Sequence, residues 1–301
     1  MPKFSFMVPV YNKEGYLVKC IESLTGQTYG DFEVVIVDDH SMGDNSYTLA
    51  KMLAKKDPRI KVHRNRRNLG IGQTRNELLK KAKGRYLIFV DPDDYVEREL
   101  LERINEVLVE DLDIVRFQNI AEPATPEQAE IEAAKNPHRF SCEPTPTISG
   151  EEAFVKWMFG VNKLNTMPWT YCVRREFYSG IQYPDMPVLE DFPVTPYLVA
   201  SAKRVRAIDY MGYHYMQYND SLTKAGRTPH ERVRFRREKL RHLFKAVCVT
   251  TELLKNTPIS EDVKSDFFED LTARLKDKFM KFETARTESS QYEQWSPYGR
   301  K

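Results

Sequence analysis

Cysteine is scarce in this 301-residue chain: Cys20, Cys142, Cys172 and Cys248 stand far apart and form no C-x-x-C pair. That excludes a short disulfide-rich framework and leaves buried, reduced thiols as the expectation. Charge of one sign is lacking as well. Lys and Arg total 46 against 44 Asp and Glu, a formal +2, so nothing global calls for DNA or RNA and no nucleic-acid partner is expected. No window approaches the roughly 20 apolar residues of a bilayer-spanning helix. The opening MPKFSFMVPVYNKEG has one lysine but no continuous apolar core of a signal peptide. The expectation is a cytoplasmic protein without its own transmembrane anchor. Also missing are a G-x-x-x-x-G-K-[ST] phosphate loop, a G-x-G-x-x-G after the first apolar run, an internal repeat and a coiled-coil register.

What is present suffices for a large core: 41% of residues are hydrophobic, enough for one large α/β domain or a domain with an appendage. FSFMVPV at 4 to 10 and FEVVIV at 32 to 37 are short apolar, β-branched runs followed by polar turn or cap residues, which predicts buried parallel strands. Between them Leu17, Cys20, Ile21 and Leu24 share one helical face, as the crossover of a βαβ unit requires. The alternation continues with a helix over 46–54, a strand over 59–65, a helix over 72–84 ended by glycine, and a strand over 86–91. A helix near 97–108 and a strand at DIVRFQ follow, so the pattern predicts a mostly parallel sheet covered by helices. Ligands of such sheets bind at the carboxyl ends of the strands. VDD at 37 to 39 and VDPDD at 90 to 94 both sit there and are expected to share one crevice.

From residue 121 to 150 several prolines and few large apolar residues predict an excursion over the surface, read as a plain loop, a lid or an acceptor-facing insertion. Ser149 and Glu152 fit a capping box at the next helix start, and a helix over 195–202 and a strand pair over 205–218 follow. After residue 229 the pattern is helical, with six basic residues between Arg232 and Arg241 and a second helix over 260–284. The first of these helices reads as a solvated face, as a peripheral contact with anionic lipid on the inner face of a membrane, or as a subunit contact.

The stretch GRYLIFVDPDDYV places Asp91, Asp93 and Asp94 directly behind an apolar run, where like charges repel. Asp94 reads as the cap of the helix that follows Tyr95. Asp91 and Asp93, on a tight Pro92 turn, could point into one pocket, where a hard divalent cation would relieve their repulsion. In NLGIGQTRN, Gly70, Gly72 and Arg75 could approach an anionic group, or the glycines could serve turn and packing alone.

These segments together resemble the inverting glycosyltransferases of family 2, which have a GT-A fold. VPVYNKEGYLVKCIESLTGQTYGDFEVVIVDDHS resembles the family's first nucleotide-binding segment and RNLGIGQTRNELLKKAKGRYLIFVDPDD its second. VLED at 188 to 191, followed by YMGYHYMQYNDSLT at 210 to 223, resembles its acceptor-side half. The resemblance implies a catalytic domain over 1–228, with a nucleotide-binding half 1–118 and an acceptor-side half 119–228, followed by a helical extension over 229–301. It implies transfer of a hexose or N-acetylhexosamine from a UDP-sugar to a carbohydrate or lipid-linked glycan, with Mn²⁺ or Mg²⁺, in building a surface glycan such as capsule, exopolysaccharide or lipopolysaccharide. Residue by residue, it implies that Pro9, Val10 and Tyr11 line the nucleotide pocket and that Asp39 hydrogen-bonds the base. Arg75 belongs to the nucleotide side, Asp91 lies toward the ribose or sugar, and Asp93 is the more direct metal ligand. Asp191 of the Glu190–Asp191 pair matches the general base, although unaided that pair reads as a helix start or cap. Ser221 and Thr223 match a late segment that closes over the diphosphate.

The chain departs from the pattern at His40, where glycine is common, and at Met216, where many relatives place an arginine. Arg174, Arg175 or Lys224 could replace that diphosphate contact. His214 could approach metal or phosphate or simply pack between tyrosines. Trp169, Trp157, Tyr171 and Tyr183 could stack on sugars or fill the core. Two rival functions use the same residues: a glycan-binding or scaffold protein with a degenerate fold, and a sugar-nucleotide nucleotidyltransferase.

Overall fold

The computed structural model describes residues 1–125, 142–159, 165–218 and 229–294. The first half alternates as the apolar runs require: β1 (Phe4–Val10), α1 (Glu14–Thr25), β2 (Phe32–Asp38), α2 (Ser46–Lys56), β3 (Ile60–Arg64), α3 (Ile71–Lys81) and β4 (Tyr86–Phe89). A short β5 (Tyr95–Val96), α4 (Leu100–Val107) and β6 (Ile114–Pro123) follow. The rest comprises α5 (Gly150–Met158), β7 (Tyr171–Arg174), α6 (Asp191–Ser201), β8 (Val205–Gln217), α7 (Pro229–Leu254) and α8 (Glu261–Gln294).

The strands form one sheet in the order β3-β2-β1-β4-β7-β6-β8-β5. β3, β2, β1 and β4 are all parallel, which places the carboxyl ends of β1, β2 and β4 side by side at one end of the sheet. Beyond β4 the expected mostly parallel sheet becomes mixed. β7 is antiparallel to both β4 and β6, β8 runs parallel to β6, and β5 is antiparallel to β8. The reversal comes where the βαβ alternation stops, so no crossover helix constrains strand direction. The expected strand pair over 205–218 is a single strand of 13 residues, accommodated by register shifts against β6.

Side-chain alternation along the strands divides the core between the two faces. Phe4, Phe6, Val8 and Val10 of β1 pack with Leu17, Cys20, Ile21 and Leu24 of α1 and with Leu100 and Ile104 of α4. Met7, Val35, Val37, Leu87 and Phe89 pack on the other face with Leu78 of α3, Phe154 of α5, Val194 of α6 and Phe267 of α8. Ser149 caps α5 as its sequence predicts, accepting a hydrogen bond from Glu152 N at 3.1 Å. α3 ends at Lys81, short of the glycine expected to stop it. Gly84 instead lets the chain pass β1, since a Cβ there would lie 2.5 Å from Ser5 N. α6 starts at Asp191, ahead of the expected residue 195. Pro193 falls in its first turn, where a missing N–H costs no helical hydrogen bond.

Candidate active site

The ends of β1, β2 and β4 build one crevice, as expected for the two acidic clusters. At the end of β1, Pro9 and Val10 are buried while Tyr11 is 47% exposed, so only the tyrosine presents a ring to a ligand. Asp39 N donates to Val10 O at 2.7 Å, which clamps the end of β2 to β1. The Asp39 carboxylate is buried and accepts three hydrogen bonds. Asn65 Nδ2 (2.7 Å) and Leu69 N (2.8 Å) reach Oδ1, and Gly70 N (2.8 Å) reaches Oδ2. It therefore shapes the loop that enters α3, and Oδ2 keeps a lone pair for a further donor. His40, one residue on, has φ +59°, a left-handed conformation that explains why glycine is at ease there.

The acidic turn after β4 separates into distinct environments. Asp93 Oδ2 lies 2.6 Å from Lys13 Nζ, just before α1. Asp91 Oδ1 lies 3.6 Å from Arg75 Nη2. Asp94 does not cap a helix, because the chain enters β5 instead. Its buried carboxylate accepts from Tyr213 Oη at 2.6 Å and from Met216 N at 2.8 Å, tying the turn to β8. Tyr213 Oη also accepts from Asp91 N at 3.1 Å, so one phenol holds two members of the turn. Burial, followed by the charges of Asp93 and Asp91, pushes the Asp94 carboxyl well above its ordinary range.

Arg75 is the centre of the site. It projects from α3, is 4% exposed, and lies over the rings of Phe89 (4.9 Å) and Tyr183 (5.8 Å). Its Nε is 3.2 Å from Glu190 Oε1, so one guanidinium links the acidic turn after β4 to the start of α6. Burial opposes that charge, but Glu190 and Asp91 outweigh it and hold Arg75 firmly protonated. The same burial pushes Asp91 up to about 6, with Arg75 pulling it down and Asp93 pushing it up. Asp191, half-buried in the first turn of α6, is pushed up to about 8 by burial and by Glu190, with Arg75 opposing.

Further contacts lock α3 onto the segment leading to this pair. Asn76 Nδ2 donates to Tyr183 O at 2.9 Å, and Tyr183 N donates to Asn76 Oδ1 at 2.8 Å. Gly72 permits the approach, since a Cβ there would lie 2.3 Å from Pro184 O. Leu189, immediately before Glu190, has φ +64°, a strained conformation for a branched side chain placed next to the paired acids.

Residues 5–137 match the profile described as Glycosyl transferase family 2. Over 232 residues the chain is 32% identical to the uncharacterized glycosyltransferase EpsJ of Bacillus subtilis, a match covering 74% of this chain. The chain belongs to glycosyl transferase family 2. It is also 28% identical over 228 residues to the putative glycosyltransferase EpsH of the same organism, a match covering 74% of this chain, and the two matches span 64% and 63% of those relatives. The S. aureus TarS 1–349 structure in complex with UDP-GlcNAc aligns at TM-score 0.68 and 22% identity, covering 90% of this chain and 71% of that one. The shared architecture is a GT-A-like nucleotide-sugar transferase fold with a mixed sheet and flanking helices.

Within this family 2 chain, several expected site residues occupy other environments. His214 contacts neither Asp91 nor Asp93. Its Nδ1 lies 2.6 Å from Glu122 Oε1, its Nε2 lies 2.7 Å from Glu97 Oε1, and its ring stacks on Tyr95 at 4.2 Å. Trp169 is 4% exposed and stacks on Tyr213 at 4.5 Å, so it is a core ring that supports the phenol beside the acidic turn, not an open sugar platform. Trp157, Tyr171 and Tyr183 are buried too. Arg174 and Arg175 lie at the opposite end of the strands, because β7 is antiparallel to β4 and Arg174 pairs with Tyr86 at the start of β4. Arg174 pairs there with Asp111 at 2.8 Å. Ser221, Thr223 and Lys224 lie outside the described residues.

The sequence alone does not mark Lys13, Tyr213 or the positioning role of Asp94. The lysine lies in the recognised YNKEG segment, but nothing in its spacing announces Asp93, 80 positions away, as its partner. Asp91 and Asp93 offer oxygen donors from one turn with side chains 29% and 20% exposed. That fits a hard divalent cation whose remaining ligands come from a bound diphosphate. Among the described residues, no group of three or more His, Cys, Asp or Glu side chains is placed to hold an ion unaided.

Proposed function

We propose that this protein is an inverting glycosyltransferase that moves a hexosyl or N-acetylhexosaminyl group from a UDP-sugar to a hydroxyl of a glycan or lipid-linked glycan. The observation that carries this reading is the convergence on Arg75 of donor-side Asp91 and of Glu190, next to Asp191. A transfer reaction needs a donor carboxylate and a base held in fixed relation, and one buried guanidinium supplies that relation.

Asp191 is the general base. With its carboxyl pushed up to about 8, its ionised form, the one that can take a proton, grows as pH rises through that value. The acceptor oxygen forms its bond to the anomeric carbon as its proton passes to Asp191, and the bond from that carbon to the nucleoside diphosphate breaks on the opposite face. One displacement gives inversion. Asp39 and Tyr11 serve the nucleoside, Asp91 the ribose or sugar, and Asp93 the metal. When bound, Mg²⁺ or Mn²⁺ offsets charge developing on the departing diphosphate. Residues 1–228 act as the catalytic unit and 229–301 as a helical extension. The product is a surface glycan of the capsule, exopolysaccharide or lipopolysaccharide class, assembled on the cytoplasmic side.

Titration with UDP, with and without Mn²⁺, tests the donor half: the expected result is binding that Mn²⁺ strengthens. Binding indifferent to metal would move the counter-charge to Lys13, and absence of UDP binding would favour a scaffold. For the base, Asp191→Asn should lower transfer by at least about 10²-fold with UDP affinity retained. Full transfer by that variant would remove Asp191 from the mechanism.

A further inference from the structure

The two C-terminal helices carry a face that neither the donor turn nor the base pair uses. Arg237, Leu240, Arg241 and Phe244 of α7 and Phe279 and Phe282 of α8 line a cavity of about 390 Å³. Phe244 is 64% exposed, Phe279 55% and the adjacent Met280 63%, so the groove opens between projecting apolar side chains. Residues 234–245 and 274–281 hold ten basic side chains against two acidic ones, although the whole chain carries only +2. Glu238, the one acid within a turn of Arg237 and Arg241 along α7, is engaged by Arg234, and Asp277 of α8 is engaged by Lys281. Lys239, held below its ordinary range by burial and then by Lys278, shows how closely the positive charges crowd.

Exposed aromatic and aliphatic side chains set among arginines match one surface chemistry: apolar groups that enter the acyl boundary and cations that meet phosphate headgroups. A second copy of this face would bring like charges together across a two-fold contact. A nucleic-acid backbone would satisfy the arginines but leave Phe244, Phe279 and Met280 in water. We propose that the α7–α8 face docks on an anionic phospholipid bilayer. The contact is peripheral, since no helix among the described residues is long and apolar enough to cross a membrane. Lys245 of α7 donates to Asp185 O at 3.1 Å, in the segment that leads to Glu190 and Asp191. Docking therefore sets the acceptor side of the crevice near the bilayer, where a lipid-linked acceptor is presented. Only that last link rests on the proposed function.

Flotation of the full chain with phosphatidylcholine vesicles, with and without phosphatidylglycerol, tests the docking, with UDP binding measured in parallel. Association is expected only with phosphatidylglycerol and should weaken as salt rises. It should fall about tenfold or more in the double variants Phe244→Ser/Phe279→Ser and Arg237→Glu/Arg241→Glu, while UDP affinity stays unchanged. Equal association with pure phosphatidylcholine, no vesicle association, or unaltered association of both variants would overturn the proposal. So would a sedimentation experiment in which Phe244→Ser/Phe279→Ser converts a dimer to monomer while vesicles leave the parent protein unbound, or RNA binding tighter than vesicle binding. Loss of UDP binding by the parent protein would sink the catalytic reading and leave the docking result standing.

Discussion

Replacing Arg75 with methionine keeps an unbranched side chain between Phe89 and Tyr183 but removes the guanidinium that faces Glu190 at 3.2 Å and Asp91 at 3.6 Å. At an effective dielectric of about 20, those separations correspond to about 5 kcal/mol of attraction each. Desolvation of Arg75 cancels much of this in the intact protein, yet removing one partner of a buried ion pair costs about 3–5 kcal/mol, because the other stays buried. The carboxylates can escape by binding protons, so the cost depends on pH. Burial already pushes Asp91 up to about 6 and Asp191 up to about 8 against the pull of Arg75, and without Arg75 both rise further. A carboxyl whose folded pKa exceeds its unfolded value of about 4 favours folding at low pH, and that advantage is lost as pH climbs toward the folded value. Arg75→Met should therefore cost little at pH ~5 and about 3 kcal/mol or more at pH ~8, read from urea unfolding at both pH values. In the same variant, the limb of kcat/KM that rises with pH should move upward from about 8. Equal destabilisation at the two pH values, or a limb that stays in place, would refute the claim that Arg75 neutralises this cluster.

Three further outcomes follow from single contacts. Gly72→Ala places a Cβ 2.3 Å from Pro184 O, so it should cost about 1–3 kcal/mol and depress kcat; unchanged melting and turnover would show that the 184 loop yields freely. Tyr213→Phe deletes the phenol between Asp91 N and Asp94 Oδ2 and should cost about 1–3 kcal/mol, with donor KM raised more than kcat is lowered. A variant with lower stability but an unaltered donor KM would reduce Tyr213 to a packing role. His40→Gly relieves a left-handed backbone and should raise stability by about 0.5–1 kcal/mol, whereas a lower melting temperature would mean that the His40 contact with Asn65 O outweighs the strain.

The parts of the fold that read directly from sequence are those governed by neighbours in the chain. The apolar runs of β1, β2 and β4 are buried on both faces, so they announce themselves without alternation, and the acids behind them locate the crevice. Ser149 is legible because its capping partner is three residues away. Asp94 reads from sequence as a local helix cap because its partners, Tyr213 and Met216, lie 119 and 122 positions on. β5, with two residues, is too short for any period to reveal, and its pairing with β8 is what carries the chain away from a helix at Tyr95. Trp169 and His214 have residue types that suit ligands, but which partners surround them depends on tertiary packing. The reversed direction of β7 likewise decides that Arg174 lies far from the crevice.

One consequence of α3 is kinetic. Its entry loop is held by Asp39, Arg75 reaches Asp91, and Gly72 and Asn76 grip the segment that ends in Glu190 and Asp191. Under the proposed assignments, a single helix of 11 residues thus serves both substrates. Variants along it should shift the Michaelis constants for donor and acceptor together, whereas changes at Asp93 or Tyr11 should shift the donor constant alone. New acceptor preferences are accordingly easier to reach through residues off this helix than through residues on it.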